Sequence, residues 1–188
     1  MSERWKPIQD PENISHAYIS NRGRVKYLNS RGQWKTTIGS PQNGKYLQVK
    51  LGDRKYCVHL LVAKQWLVKK CRAFTVVHHK DADRQNNRVE NIEWTTQLLN
   101  CSLRTNSSMC VEHKGRYRSK FIFGGKIQKS SVTYDTAEEA REEALKMRQK
   151  MYEMAYNALI QNEQETTNVA GEETFTAKPD ADYTTVCV

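Results

Sequence analysis

Val77-His78-His79-Lys80-Asp81, followed by Asn86-Asn87, Asn91, Trp94-Thr95-Thr96 and Asn100, is the stretch on which the reading of this chain turns. A strand ending in two adjacent histidines can offer one imidazole as a metal ligand and the other as a base that deprotonates water. Both roles need neutral imidazole near pH 7, which the ordinary histidine pKa allows. Asp81-Ala82-Asp83-Arg84-Gln85-Asn86-Asn87 is polar and rich in turn formers, so a loop is expected there. Val89 to Trp94 is a short mixed segment that can pair back. Thr95 or Thr96 then suits the N-cap of a helix from about Gln97 to Leu103. The expected order is strand, loop with a short strand, then helix, with one polar candidate on each part and Asn100 on the helix.

Taken alone, two adjacent histidines at a strand end are more often an ordinary surface pair than a site. The spacing to Asn91, the Trp94-Thr95-Thr96 turn and Asn100 reverses that reading. The extended pattern resembles the HNH endonucleases, whose fold is a ββα-metal unit. The resemblance implies that His79 is the general base and that His78 and Asn100 hold one divalent metal ion, Mg²⁺ or Mn²⁺. It also implies a catalytic part for Asn91, which would fix the loop and orient His79 by hydrogen bonding. The metal would neutralise charge on the scissile phosphate and stabilise the leaving 3′ oxygen. Two positions vary within the family: the third letter here is Asn rather than His, and His78 stands where phage relatives often have Asp. Asn86 and Asn87 match an Asn-Asn pair common in the family, with a loop-stabilising role expected.

The charge balance fits a polyphosphate partner. The 188 residues carry 30 Lys and Arg against 21 Asp and Glu, for a net charge of +9. Residues 161–188 hold six of the acids and one base, so residues 1–160 carry 29 basic and 15 acidic side chains, a balance of +14. Such a body should bind nucleic acid with steep salt dependence. Basic charge by itself also fits ribosomal and membrane-surface proteins, which the motif disfavours.

A hydrophobic fraction of 38% and a mean hydropathy of −0.81 predict small cores with much polar surface. No apolar run approaches the roughly 20 residues needed to span a bilayer. Met1-Ser2-Glu3-Arg4-Trp5 lacks the apolar stretch of a signal peptide. The expectation is a protein without membrane contact, in the cytoplasm, here that of a phage-infected bacterial host. Five cysteines form no Cys-x-x-Cys pair, so a structural zinc knuckle is not expected.

Residues 1–55 read as a small β-rich module. Tyr18-Ile19-Ser20 and Val25-Lys26-Tyr27 flank the turn Asn21-Arg22-Gly23, and Leu47, Val49 and Leu51 alternate with polar residues. The stretch Glu3 to Ile8 followed by Tyr18 to Val25 resembles the nuclease-associated modular domain that precedes HNH sites in phage homing endonucleases. That family uses the module to hold DNA, which makes Arg22, Arg24 and Lys26 candidates for phosphate contacts. His59 to Leu67 starts a helical pattern resembling the family's His-Arg-Leu-Val-Ala segment, with Leu60 where Arg is usual. His59 is read as structural.

Residues 106–115 are small and polar, as in a linker. Beyond it, Tyr117, Phe121 and Phe123 alternate with Arg116, Arg118 and Lys120. Gly124-Gly125 predicts a tight turn into Lys126-Ile127-Gln128-Lys129, and a third short strand is expected over Ser131 to Tyr134. Thr136-Ala137-Glu138-Glu139 is a capping box for a helix running to about Ala158 or Ile160. Three strands and a packing helix resemble the plant ethylene-response-type DNA-binding domain. The resemblance implies that Arg116, Arg118, Lys120 and Lys126 contact DNA.

The whole is expected to be an α+β chain: the N-terminal module over 1–55, a ββα-metal core over 56–105, a linker over 106–115, a sheet-plus-helix domain over 116–160, and a disordered acidic tail over 161–188. The resemblance implies a phage-type HNH homing endonuclease acting on double-stranded DNA as a monomer or homodimer. The alternatives are a noncatalytic DNA-binding protein, or an HNH nuclease for restriction or packaging.

Overall fold

The computed structural model describes residues 2–9, 16–42, 45–103 and 109–169. The chain forms two compact units. Among the described residues, the first is built from residues up to 69 and 77–94, the second from residues 70–76 and 95–169. The architecture is mixed α and β, as the sequence implies.

In the first unit, β1 (Trp5–Pro7), β2 (Ala17–Ser20), β3 (Val25–Leu28) and β4 (Trp34–Thr37) make an antiparallel meander. The β2–β3 turn lies over Asn21-Arg22-Gly23. The Gly23 N–H bonds Ser20 O at 3.1 Å, with Gly23 at φ 76°, a conformation that favours glycine. Ile19 and Val25 are fully buried by the period-2 alternation of their strands. A second antiparallel sheet joins β5 (Ser40–Gln42), β6 (Tyr46–Leu51) and β7 (Arg54–Cys57). Leu47, Val49 and Leu51 all point into its core.

β7 runs directly into α1 (Val58–Trp66). Val58, Leu61 and Val62 fall at helical spacing and are essentially inaccessible to solvent, which fixes this helix by packing. The chain then reaches β8 (Val76–His79) and, after a loop and one 3-10 turn over Val89–Asn91, β9 (Ile92–Thr95), which pairs with β8. On β8 the alternation buries Val77 and His79 and leaves His78 on the other, half-buried face.

The second unit begins its helical part with α2 (Gln97–Ser102). Thr96 is the N-cap, its Oγ1 accepting from the Leu99 N–H at 3.2 Å. A three-stranded antiparallel meander follows: β10 (Cys110–His113), β11 (Arg116–Phe123) and β12 (Lys126–Lys129). β10 occupies part of the segment read as linker. It pairs along β11 from Cys110↔Ser119 to His113↔Arg116, through a two-residue turn in which Lys114 and Gly115 both take positive φ. The third strand therefore precedes β11. Ser131 to Tyr134 contributes only a bridge from Tyr134 to Tyr117.

α3 (Ala137–Val169) packs on this sheet. Its capping box forms: Thr136 Oγ1 accepts from the Glu139 N–H at 3.2 Å, and Glu139 Oε2 accepts from the Thr136 N–H at 3.4 Å. Fully buried Ala140 and Ala144 let the helix approach closely, so Phe121, Met109 and Ala144 form the local core. The Ser119 hydroxyl donates to Ala140 O at 2.8 Å.

The helix does not stop near Ile160. It extends through nine residues assigned to the tail, to Val169. Phe74 stacks on Tyr156 at 4.8 Å, and Arg72 Nε reaches Glu163 Oε1 at 3.3 Å, so the helix has a partner beyond the sheet. Residues 170–188 of the expected tail, and residues 104–108 around the expected linker, lie outside the described part. No helix among the described residues is long and apolar enough to cross a membrane.

Candidate active site and nucleic-acid faces

Burial and hydrogen bonds around β8 single out His79. Its side chain is only 5% exposed, and its Nε2 lies 3.0 Å from Oδ1 of Asn87, itself 3% exposed. An amide oxygen only accepts, so the Nε2–H donates and Nδ1 keeps the lone pair. Burial pushes the His79 pKa below its ordinary value, against upward pulls from the Asn87 bond and from Asp81. The imidazole is therefore neutral near pH 7, as a proton acceptor must be.

The loop after β8 is held by a closed set of side-chain bonds. Asn91 Nδ2 donates to Asp81 Oδ1 at 2.9 Å and to Asn86 O at 2.8 Å, while Asn91 Oδ1 accepts from the Asp81 N–H at 3.2 Å. Asn86 Nδ2 donates to Asp81 Oδ2 at 2.6 Å. Burial would raise the Asp81 carboxyl, but the bonds from Asn86 and Asn91 and the Asp83 N–H outweigh it and hold the group below its ordinary value. Asn91 O also accepts from the Lys80 N–H at 2.8 Å, closing the loop at its base.

The side chain of Asn91 thus fixes the loop, as expected, but the hydrogen bond on His79 comes from Asn87. Sequence reasoning gave the Asn-Asn pair a loop role only. Asn86 has that role, and Asn87 turns inward. The available signal was the second Asn of the pair, eight residues after a histidine on the buried face of its strand.

His78, His79 and Asn91 sit together in the first unit, whereas Asn100 lies on α2 in the second, half-buried, with its N–H on Thr96 O at 2.9 Å. Among the described residues no three His, Cys, Asp or Glu side chains gather as a metal site. Asp81 is occupied by its own loop. The half-buried His78 imidazole beside the buried His79 is a sparse donor set. With so few donors among the described residues, a closed four-ligand zinc site does not fit there, and an ion held there would keep positions for water and phosphate oxygens.

The basic candidates divide by environment. Arg24 is ion-paired with Glu3 and lies 5.9 Å from the Trp5 ring; the hydrogen bond from Arg24 holds the Glu3 carboxyl below its ordinary value. Lys26 Nζ sits 5.0 Å over the Trp34 ring, and Arg22 is exposed on the turn.

In the second unit, strand register sets the faces. Arg116, Arg118, Lys120 and Ile122 stand opposite His113, Val111, Lys129 and Ile127 on the sheet face away from α3. Lys126 stands opposite Phe123 and belongs to the helix-packed face, so it does not join the other three. Lys129, passed over in the sequence, does. Continuing the alternation through the Gly-Gly turn would have found it. Arg116 pairs with Asp135 at 2.8 Å, and Arg118 Nε is buried without a hydrogen-bond partner among the described residues. Ile122 and Ile127 are exposed on the same face, at 45% and 59%.

The chain is similar to known proteins as follows. Residues 73–100 match the family of HNH endonucleases. An uncharacterised HNH endonuclease of Acanthamoeba polyphaga mimivirus is 37% identical over 78 residues, 40% of this chain and 19% of that protein, so the chain spans about a fifth of that relative's length. A solved structure described as DNA binding and cleavage by the HNH homing endonuclease I-HmuI is 30% identical, covering 52% of this chain and 55% of that one, with a TM-score of 0.39. The matched stretch begins before β8 and ends at Asn100, and it contains His78, His79, Asn87 and Asn91. Over residues 73–100, the stretch that carries His78, His79, Asn87 and Asn91, the chain is similar to the HNH endonucleases.

Proposed function

We propose that this protein is a metal-dependent endonuclease that hydrolyses phosphodiester bonds in double-stranded DNA, with homing as its task. The observation that carries the reading is the neutral, buried His79, held through Nε2 by Asn87 and bordered by a loop that Asn91 locks. His79 takes the proton of the attacking water on Nδ1. By the resemblance to HNH endonucleases, His78 and Asn100 would be the protein ligands of one divalent ion, which would supply charge neutralisation at the phosphate and at the leaving 3′ oxygen. Lys120, Lys129, Arg118 and Arg116 on the open face of the C-terminal sheet, with Arg22 and Lys26 on the N-terminal module, hold the backbone of the duplex. Flanking DNA-binding surfaces on both sides of the nuclease stretch support a long recognition site and hence homing.

The test is conversion of supercoiled plasmid by wild type and His79→Ala, with Mg²⁺, Mn²⁺ or EDTA, on DNA that includes the gene's own flanking sequence. Metal-dependent nicking or linearisation, lost in the variant, is expected. Retardation of DNA without cutting under every metal condition would replace this reading with a binding protein.

A further inference from the structure

The N-terminal module carries a turn, Asn21-Arg22-Gly23, that in the family resemblance only precedes the site and helps hold DNA. In the structure this turn bears on the segment that orients His79. Two contacts join the turn to that segment, and Asn21 is anchored on its other side. The Asn21 carbonyl accepts from the Val89 N–H at 2.9 Å. Gly23 lies so close that a Cβ on it would come 2.8 Å from both Cβ and the carbonyl oxygen of Asn87. Asn21 is itself 2% exposed, its Oδ1 accepting from the Arg4 N–H at 2.8 Å and its Nδ2 donating to Ser2 O at 3.2 Å. Asn21 and Gly23 are thus buried in the turn, and Asn87 sits against Gly23 with backbone and side chain alike.

We infer that Asn87 is the positioning residue of His79, and that the Asn21-Arg22-Gly23 turn seats Asn87, so that the module sets the ring nitrogen presented to the reaction. The inference rests on the reading of His79 as the base. A histidine base is useful only in one tautomer and one ring orientation, and both are fixed by the partner on its other nitrogen. Oδ1 of Asn87 at 3.0 Å from Nε2 selects the Nε2–H form and leaves the lone pair on Nδ1. The amide of Asn87 is buried, and its Nδ2 has no hydrogen-bond partner among the described residues. Its position is therefore not fixed by a second hydrogen bond of its own side chain. The close approach of Gly23 and the Val89 bond supply that restraint from the backbone side. Glycine is required twice over at 23, for its φ of 76° and for the absent Cβ.

The experiment uses the full chain as wild type, Asn87→Ala, Asn87→Asp, Gly23→Ala and His79→Ala. It reads single-turnover cleavage at saturating protein, DNA affinity, and the ring ¹⁵N shifts of His79, with thermal melting as the folding control. Asn87→Ala should lose about 10- to 100-fold in single-turnover rate, the usual effect of removing such a partner, with affinity for DNA unchanged. Its His79 should lose the preference for the Nε2–H form. Asn87→Asp, whose carboxylate accepts the same bond, should recover most of the rate. Gly23→Ala should show the Asn87→Ala signature without touching His79. Wild-type His79 in the Nδ1–H form overturns the inference whether or not any variant folds. So does a folded Asn87→Ala that cuts at the wild-type rate while His79→Ala is inactive. Undiminished cutting by His79→Ala removes the base reading, and this inference falls with it.

Discussion

The ring of His59 meets the ring of His79 edge-on, 5.4 Å between centroids and 63° between planes, and both side chains are buried. The Tyr46 ring lies tilted against His59, 4.9 Å between centroids, and approaches His79 to 6.1 Å, with the Arg84 guanidinium 5.2 Å over the Tyr46 ring. His59 Nδ1 is buried without a hydrogen-bond partner among the described residues. Burial, and then the neighbouring His79, push the His59 pKa down to about 3. His59 is thus a neutral aromatic wall beside His79, the structural role its apolar sequence context implied.

That depressed pKa makes stability depend on pH in a defined direction. Between the unfolded value near 6.5 and about 3, the unfolded chain binds a proton that native His59 refuses. Stability should therefore fall as pH drops through about 6.5 and go on falling toward 3, with a slope approaching about 1.4 kcal/mol per pH unit for this one proton. His79, lowered in the same way, adds to the trend. Urea unfolding between about pH 7 and about pH 4.5 should show this loss in wild type and a shallower one in His59→Phe, by close to one proton. An identical slope in the two proteins would mean that His59 is solvated in the folded state.

Asn91→Ala removes two donated bonds and one accepted bond from the loop around Asp81. The cost should be about 1–3 kcal/mol, read as faster amide exchange across residues 80–91. Asn91→Asp should be worse than Asn91→Ala, because it sets a second carboxylate against one that the loop keeps ionised. If Asn91→Asp were the milder change, the bonds to Asp81 would not be what shapes the loop.

The faces of the C-terminal sheet give a paired test of DNA binding. Lys120 and Lys129 are cross-strand partners on the open face, and Lys126 lies on the helix-packed face. Lys120→Ala and Lys129→Ala should each weaken binding and lower the slope of log affinity against log salt by about 0.9. Lys126→Ala should leave the slope unchanged. Equal effects at 126 and 129 would mean that DNA does not lie on the open face.

Much of this was legible in the sequence because local rules decided it. Thr96 as N-cap, the capping box at Thr136, the Asn21-Arg22-Gly23 turn and the alternation of Leu47, Val49 and Leu51 all follow from residues a few positions apart. What escaped depends on pairing at a distance. Cys110 to His113 has no strong strand signal and becomes a strand because β11 offers it an edge. Helix α3 continues past Ile160 because Phe74 and Arg72, far away in sequence, meet Tyr156 and Glu163. Asn87 could be read as a loop residue from its neighbours; only the fold shows that it faces His79.

The extra turns of α3 and the aromatic residues before them differ in what they contribute, and truncation separates the two. Arg72 and Glu163 are 65% and 26% exposed at their side chains, so their ion pair is screened and should be worth no more than about 1 kcal/mol. Tyr152, by contrast, is buried, donates from its hydroxyl to Thr95 Oγ1 at 3.3 Å and stacks on Tyr156 at 5.8 Å. A chain ending after Ile160 should therefore lose at most about 1 kcal/mol against one ending after Val169, whereas Tyr152→Ala should cost about 3–5 kcal/mol. Tyr152→Phe, which loses the hydroxyl and with it the bond to buried Thr95, should fall between them at about 1–2 kcal/mol. Chemical denaturation of the four proteins orders these values, and a truncation costlier than Tyr152→Ala would place the anchor of the helix at Glu163 instead of at its aromatic face.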